Sequence, residues 1–146
     1  MSEQIQRVAF SLPLPPSVNA QYTRAGIRRV LSKEAKSFKK GVTGRIHRLR
    51  VDQVITDQFI VALQQGWIGI FMDMYFKSPL KRDLDGGLKI TQDAVLEALG
   101  VNDNRVVDIH LVKRIDPLNP RVEIEMEAIP TWEFDKTYLL LEQEDD

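Results

Sequence analysis

Residues 7–12 alternate, with Val8, Phe10 and Leu12 on one side and Arg7, Ala9 and Ser11 on the other. That is the period-two pattern of a strand with one buried face. Pro13, Pro15 and Pro16 end it, and together with Ser17, Asn19 and Gly26 they predict a long loop, with a short strand at "IRRVL". After Ser32, a good N-cap, Ala35, Phe38, Val42, Ile46 and Leu49 recur at helical spacing and predict an amphipathic helix over 33–50, in which Gly41 and Gly44 are the weak points. Residues 51–66 read as a second helical stretch that stops at Gly66. In "WIGIFMDMYF", Ile68, Ile70, Met72, Met74 and Phe76 share one face of a core strand. "GGLKITQDAVLEALG" sets Leu88, Val95 and Leu99 on one side of a helix and stops at Gly100. "RVVDIHLVK" and "RVEIEMEA" predict two more strands, with the turn "RIDPLNP" between them.

The predicted order is β-(β)-α-β-α-β-β, an α/β (α+β-like) single domain in which a small mixed sheet packs with two or three helices. It occupies residues 1–129. Residues 130–146 form an acidic tail with an apolar patch, suited either to docking on a partner subunit or to remaining loose.

A chain of 146 residues supports one hydrophobic core. No apolar run approaches the roughly 20 residues that span a bilayer, and the N-terminus lacks a basic segment followed by a long apolar one. The expected location is therefore cytoplasmic, with no membrane partner. The absence of cysteine excludes disulfides, thiolate nucleophiles and Cys-based zinc sites. The net charge of -1 conceals a strong asymmetry. Residues 1–50 hold 11 Lys and Arg against 2 Asp and Glu, whereas 51–130 hold 8 against 13 and 131–146 hold 1 against 6. The N-terminal third is thus suited to a polyanion.

The chemistry concentrates in "SPLKRDLDGGLK", residues 78–89. If Arg82 to Asp85 is extended, Asp83 and Asp85 point the same way and can share a divalent cation. Lys89 follows Asp85 by four residues, one helical turn along. Asp103, beside Asn102, offers a third carboxylate if the loop after the helix returns to the site. Gly86 and Gly87 leave backbone N–H groups open to a phosphate at a helix N-terminus. Three other readings compete. The stretch can be a solvated turn with an N-cap. As a calcium loop starting at Asp83 it fails, because Leu88 and Ala94 stand where Gly and Glu are required. "DLDGG" also resembles the D-x-D-G-T of haloacid-dehalogenase-like phosphohydrolases, but "KSPLKR" is no buried strand and Gly87 replaces the threonine.

In order along residues 6–128, "LPLPPSVNAQYTR", "VLSKEAKSF", "KRDLDGGLKITQDAVLEAL", "VNDNRVVDIHLVKR" and "PRVEIEME" resemble the RusA-type Holliday junction resolvases. The resemblance implies an Mg²⁺-dependent endodeoxyribonuclease, with Mn²⁺ able to substitute. It implies a homodimer that recognises four-way DNA junctions by shape and resolves them by paired symmetric nicks in recombination and repair. By position, Asp83, Asp85 and Asp103 correspond to the metal-binding catalytic aspartates and Lys89 to the catalytic lysine. Gly86 stands in place of the asparagine usual in the family, and a degenerate relative that only binds junctions is the alternative. The same resemblance makes Arg24, Arg28, Arg29, Lys33, Lys36, Lys81 and Arg82 candidate phosphate contacts. Tyr22 becomes a candidate for base stacking, and Asn19 either a DNA contact or the anchor of an Asx turn. His47 and His110 are expected to be surface or structural residues rather than catalytic ones, without an acid partner, and Asp73 to be solvated or to face a dimer partner. Trp67 and Phe71 are candidates for the dimer interface.

Overall fold

The computed structural model describes residues 4–135. A four-stranded sheet is built from β1 (Gln6–Pro13), β4 (Trp67–Phe76), β5 (Val106–Ile115) and β6 (Arg121–Ile129). Its order is β1-β6-β4-β5. β6 runs antiparallel to both its neighbours, and β4 and β5 are parallel. A parallel pair needs a crossover, and α3 (Leu88–Leu99) supplies it. A separate antiparallel hairpin, β2 (Tyr22–Ala25) with β3 (Arg28–Leu31), realises and extends the expected short strand.

α1 (Lys33–Val51) starts where expected, because the Ser32 hydroxyl accepts the N–H of Ala35 at 3.1 Å. Gly41 and Gly44 do not interrupt it; both face open space, so they weaken propensity without creating a break. The second stretch is helical only over α2 (Asp57–Gln65), capped by Thr56, whose hydroxyl accepts the N–H of Phe59 at 3.1 Å. α3 ends as expected at Gly100, in the left-handed conformation (φ 70°, ψ 36°).

The three helices cover one face of the sheet. There, the inward faces of β4 (Ile68, Ile70, Met72, Met74, Phe76) and β6 (Val122, Ile124, Met126, Ala128) meet the stripe of α1 in one buried cluster. The opposite face is polar, carrying Glu123, Glu125 and Glu127 opposite Asp73, Phe71 and Gly69. Arg7 pairs with Glu127 at 3.0 Å and Arg114 with Asp73 at 3.2 Å, so Asp73 is an ion-pair partner. Trp67 is not bare, since Phe134, from the chain beyond β6, meets its ring edge-on at 5.5 Å.

The turn at "RIDPLNP" forms, but β5 and β6 do not pair, because β4 lies between them. The connection instead wraps the end of β4, where the Asp116 N–H donates to the Phe76 carbonyl at 2.8 Å. Arg121 closes this loop by donating to Asp116 at 2.8 Å and to Glu123 at 2.6 Å. The Arg121 bond holds the Asp116 carboxyl below its ordinary value of 3.8, and the Ser11 hydroxyl, then Arg121, hold Glu123 below 4.5. Depressed carboxylates stabilise the fold above their unfolded values and lose that contribution as pH falls through the folded ones. Thermal melts should therefore show stability constant above about pH 5 and declining below about pH 4. The decline should be shallower in Arg121→Met.

Candidate functional site

β4 delivers the chain to the motif. Residues beyond Phe76 run to Asp83, which is extended (φ -74°, ψ 145°), and Leu84–Gly87 then form a 3-10 turn that feeds α3. The expected extended geometry through Asp85 is thus replaced by a turn. Leu84 packs against the core, and its neighbours Asp83 and Asp85 are both exposed.

Four contacts hold this turn. Pro15 covers Gly87 so closely that a Cβ there would sit 2.4 Å from the Pro15 Cγ. What approaches this glycine is the chain's own proline loop rather than a phosphate. Gln21, buried, donates from Nε2 to the carbonyls of Pro16 (3.0 Å) and Gly86 (2.8 Å). Arg82 donates to the Pro15 carbonyl at 2.7 Å and lies over the Phe76 ring. Lys113, on β5, donates to the carbonyls of Pro79 (3.0 Å) and Arg82 (2.9 Å). Asn19 is exposed and forms no Asx turn among the described residues; Gln21 anchors the loop instead.

Lys89 sits in the first turn of α3, with Nζ 3.2 Å from Asp93 Oδ2. Its ammonium is held above its ordinary value, first by the hydrogen bond and charge of Asp93, and in smaller part by Asp103. Asp103 is therefore within electrostatic reach of Lys89. It opens a short 3-10 turn, Asp103–Arg105, in which the Asn102 side chain accepts the N–H of Asn104 at 3.0 Å. Arg105 ties this turn to the start of β4 by donating to the Gly66 carbonyl at 2.9 Å. Loop and helix start thus converge on Lys89, but among the described residues no three carboxylate or imidazole groups gather closely enough to hold a metal ion.

A contrast in pairing sets these aspartates apart. Of the carboxylates between residues 51 and 129, nine have a lysine or arginine partner, from Asp52 with Arg48 to Glu127 with Arg7, and Asp108 meets His110. Among the described residues the carboxylates of Asp83, Asp85 and Asp103 have neither an ion pair nor a hydrogen bond, and all three residues are exposed. Their oxygen donors suit a hard cation, and two carboxylates plus waters and substrate phosphate suffice for Mg²⁺.

The basic candidates divide into groups. Asn19, Lys81, Arg82 and Asp83 line a cleft of about 120 Å³ beside the turn. Asn19, Tyr22, Arg24 and Arg29 line a neighbouring one of about 390 Å³, with the Arg29 guanidinium 4.1 Å from the centre of the Tyr22 ring. Arg28 lies on the same hairpin. Lys33 and Lys36 stand apart on α1, both exposed, with Lys33 on a cleft shared with Pro16. His47 is exposed on α1. His110 does have an acid partner, Asp108, 3.1 Å away and two residues earlier on the same strand face, and its ring stacks on Phe71 at 4.6 Å. The strand period contained that signal. Gln21, Asp93 and Lys113 were not singled out from sequence; only Asp93, at i+4 from Lys89, carried a spacing signal.

Exposed, unpaired carboxylates thus lie near a lysine and an arginine-rich hairpin, a chemistry suited to a metal ion and a polyanion. Comparison with known proteins sharpens that reading. The family model described as "Endodeoxyribonuclease RusA" matches residues 13–127. A curated relative, "Crossover junction endodeoxyribonuclease rusA" of Enterobacteria phage HK97, is 26% identical over 118 residues, 80% of this chain and 91% of the relative. The chain belongs to the RusA endodeoxyribonuclease family. It is an endonuclease that acts on DNA.

Proposed function

We propose that this protein resolves four-way DNA junctions by paired, metal-dependent nicks. The observation that carries the proposal is the isolation of Asp83, Asp85 and Asp103, unpaired in a region where the other carboxylates are neutralised. The family and the relative's name support the substrate. A bound Mg²⁺, or Mn²⁺ in its place, would activate water and offset the charge on the attacked phosphodiester.

The chain's own residues do the remainder. Asp83 and Asp85 supply oxygen donors from a turn kept rigid by Gln21, Arg82 and Lys113. Asp103, whose charge reaches Lys89, adds a third carboxylate. Lys89, kept charged by Asp93, faces the scissile phosphate and offsets charge that builds there in the transition state. The hairpin arginines, with Lys33, Lys36 and Lys81, bind flanking phosphates and position the DNA without reading its bases. Paired nicks need two sites, and a homodimer provides them. We place the protein in the cytoplasm, where its DNA substrate lies; among the described residues no helix is long and apolar enough to cross a membrane.

The test incubates the wild-type protein with a labelled four-way junction. Nicking should appear with Mg²⁺ and vanish with EDTA; persistence in EDTA would remove the metal from the mechanism. Binding without any nicking would favour the junction-binding module instead. Phosphate contacts also predict salt dependence: Arg24→Ala should weaken junction and duplex binding alike and reduce the slope of log K against log salt by about 1. An unchanged slope would mean that Arg24 touches no phosphate.

A further inference from the structure

The β2–β3 hairpin combines two features that nothing among the described residues satisfies. Ile27, at its tip, is fully exposed. A lone exposed apolar side chain is ordinary on a protein surface; this one is set apart by its place at the point of a projecting hairpin flanked by arginines. Arg24 stands directly across the hairpin from Arg29, and Arg28 across from Ala25. Like charges opposite each other destabilise a strand pair. Among the described residues Arg24 and Arg28 are the arginines with no carboxylate, carbonyl or ring partner.

The hairpin is nonetheless held in place at its base. The Ser32 N–H donates to the Gln21 carbonyl at 2.9 Å, and the Ser32 hydroxyl donates to the Ala20 carbonyl. Gln21 in turn reaches the carbonyl of Gly86 in the catalytic turn. Gly26 takes the left-handed conformation that the tip requires (φ 67°). Strands of four residues project the tip by about 13 Å. The arm is thus short, cationic at its far end, apolar at its point and fixed to the turn that bears Asp83 and Asp85.

We infer that this hairpin is a wedge: Arg24, Arg28 and Arg29 grip phosphates on either side of a branch, and Ile27 inserts against the unstacked bases at the branch point. The inference rests on the junction reading above and deepens it by naming the element that distinguishes a branch from unbroken duplex. The energetics favour a branch. Apolar side chains inserted between stacked base pairs must offset a few kcal/mol of unstacking, whereas at a branch the stacking is already interrupted. The same contact therefore becomes selective without any base-specific hydrogen bond.

The experiment places 2-aminopurine at the branch of a four-way junction and, separately, at the same position in a linear duplex of matching sequence. Fluorescence and affinity are read in EDTA with wild type, Ile27→Leu and Ile27→Ser, and again in Mg²⁺ with each combined with Asp85→Asn. Wild type and Ile27→Leu should raise the junction signal. Ile27→Ser should abolish that rise and weaken junction affinity by about tenfold, the effect of one isoleucine-sized apolar contact, with duplex affinity and melting temperature unchanged. An Ile27→Ser protein that keeps both the rise and the affinity overturns the wedge, as does an equal rise on linear duplex, which would mean groove insertion. Wild type that nicks junctions in Mg²⁺ but gives no rise sinks the wedge and leaves the junction reading standing. Wild type that neither nicks nor prefers the junction sinks that reading first.

Discussion

Asp85→Asn should lower metal-dependent nicking by about a hundred- to a thousandfold, the scale on which loss of one electrostatic element of a hydrolytic site is measured, while junction binding stays at or above its wild-type strength. The substitution keeps the size and hydrogen-bonding outline of the side chain but removes the charge that a hard cation requires. It breaks nothing internal, because Asp85 is exposed and its carboxylate has neither an ion pair nor a hydrogen bond among the described residues. The melting temperature should therefore not fall. Removing one negative charge beside Lys81, Arg82 and Lys89 also reduces repulsion of phosphate. Gel-shift and nicking assays on the same preparation separate the two effects. Equal losses of binding and nicking would mean that Asp85 shapes the surface and is not a ligand.

Gly87→Ala should be the most damaging single-methyl change near the site. Its backbone is ordinary (φ -103°), so strain of a left-handed residue is not at issue. The added Cβ would meet the Pro15 ring at 2.4 Å, and a proline ring cannot rotate away. Overpacking of this kind costs about 1–3 kcal/mol, or a fall in melting temperature of roughly 2–4 °C for each kcal/mol in a domain of this size. The proline loop carries Asn19 and Gln21, so its displacement should also reduce nicking. Gly86→Ala is the matched control. The added carbon there finds only Val18, at 3.8 Å, an ordinary contact. Thermal melts that rank the two variants equally would mean that the proline loop does not pack on the turn as described.

That pair of glycines shows where the sequence is readable and where it is not. The strand and helix stripes were legible because burial on one face imposes a period, and the inward residues of β4 and the stripe of α1 are buried as the pattern requires. Asp83, Asp85 and Lys89 stood out through local spacing along one motif, whereas Asp103 depended on the resemblance and on a loop returning to the site. The role of Gly87 was not legible, because the atom that forbids a side chain there belongs to Pro15, more than seventy residues earlier. Gln21 and Lys113 were hidden for the same reason: each binds carbonyls of a distant loop, and backbone carbonyls leave no signature in composition. Strand order was not legible either: β5 and β6 are adjacent in sequence, yet β4 takes the position between them. Asp108 with His110 was available from the strand period alone.

The most direct measurement labels each strand of a fixed four-way junction in turn and maps the cuts made by wild-type protein in Mg²⁺, with a linear duplex of the same sequence alongside. Nicks at symmetric positions in two opposing strands, with 5′-phosphate ends and little cutting of the duplex, are the expected result. Equal cutting of junction and duplex, or no cutting of either, would contradict the proposal that this chain is a junction-resolving nuclease centred on Asp83, Asp85, Lys89 and Asp103.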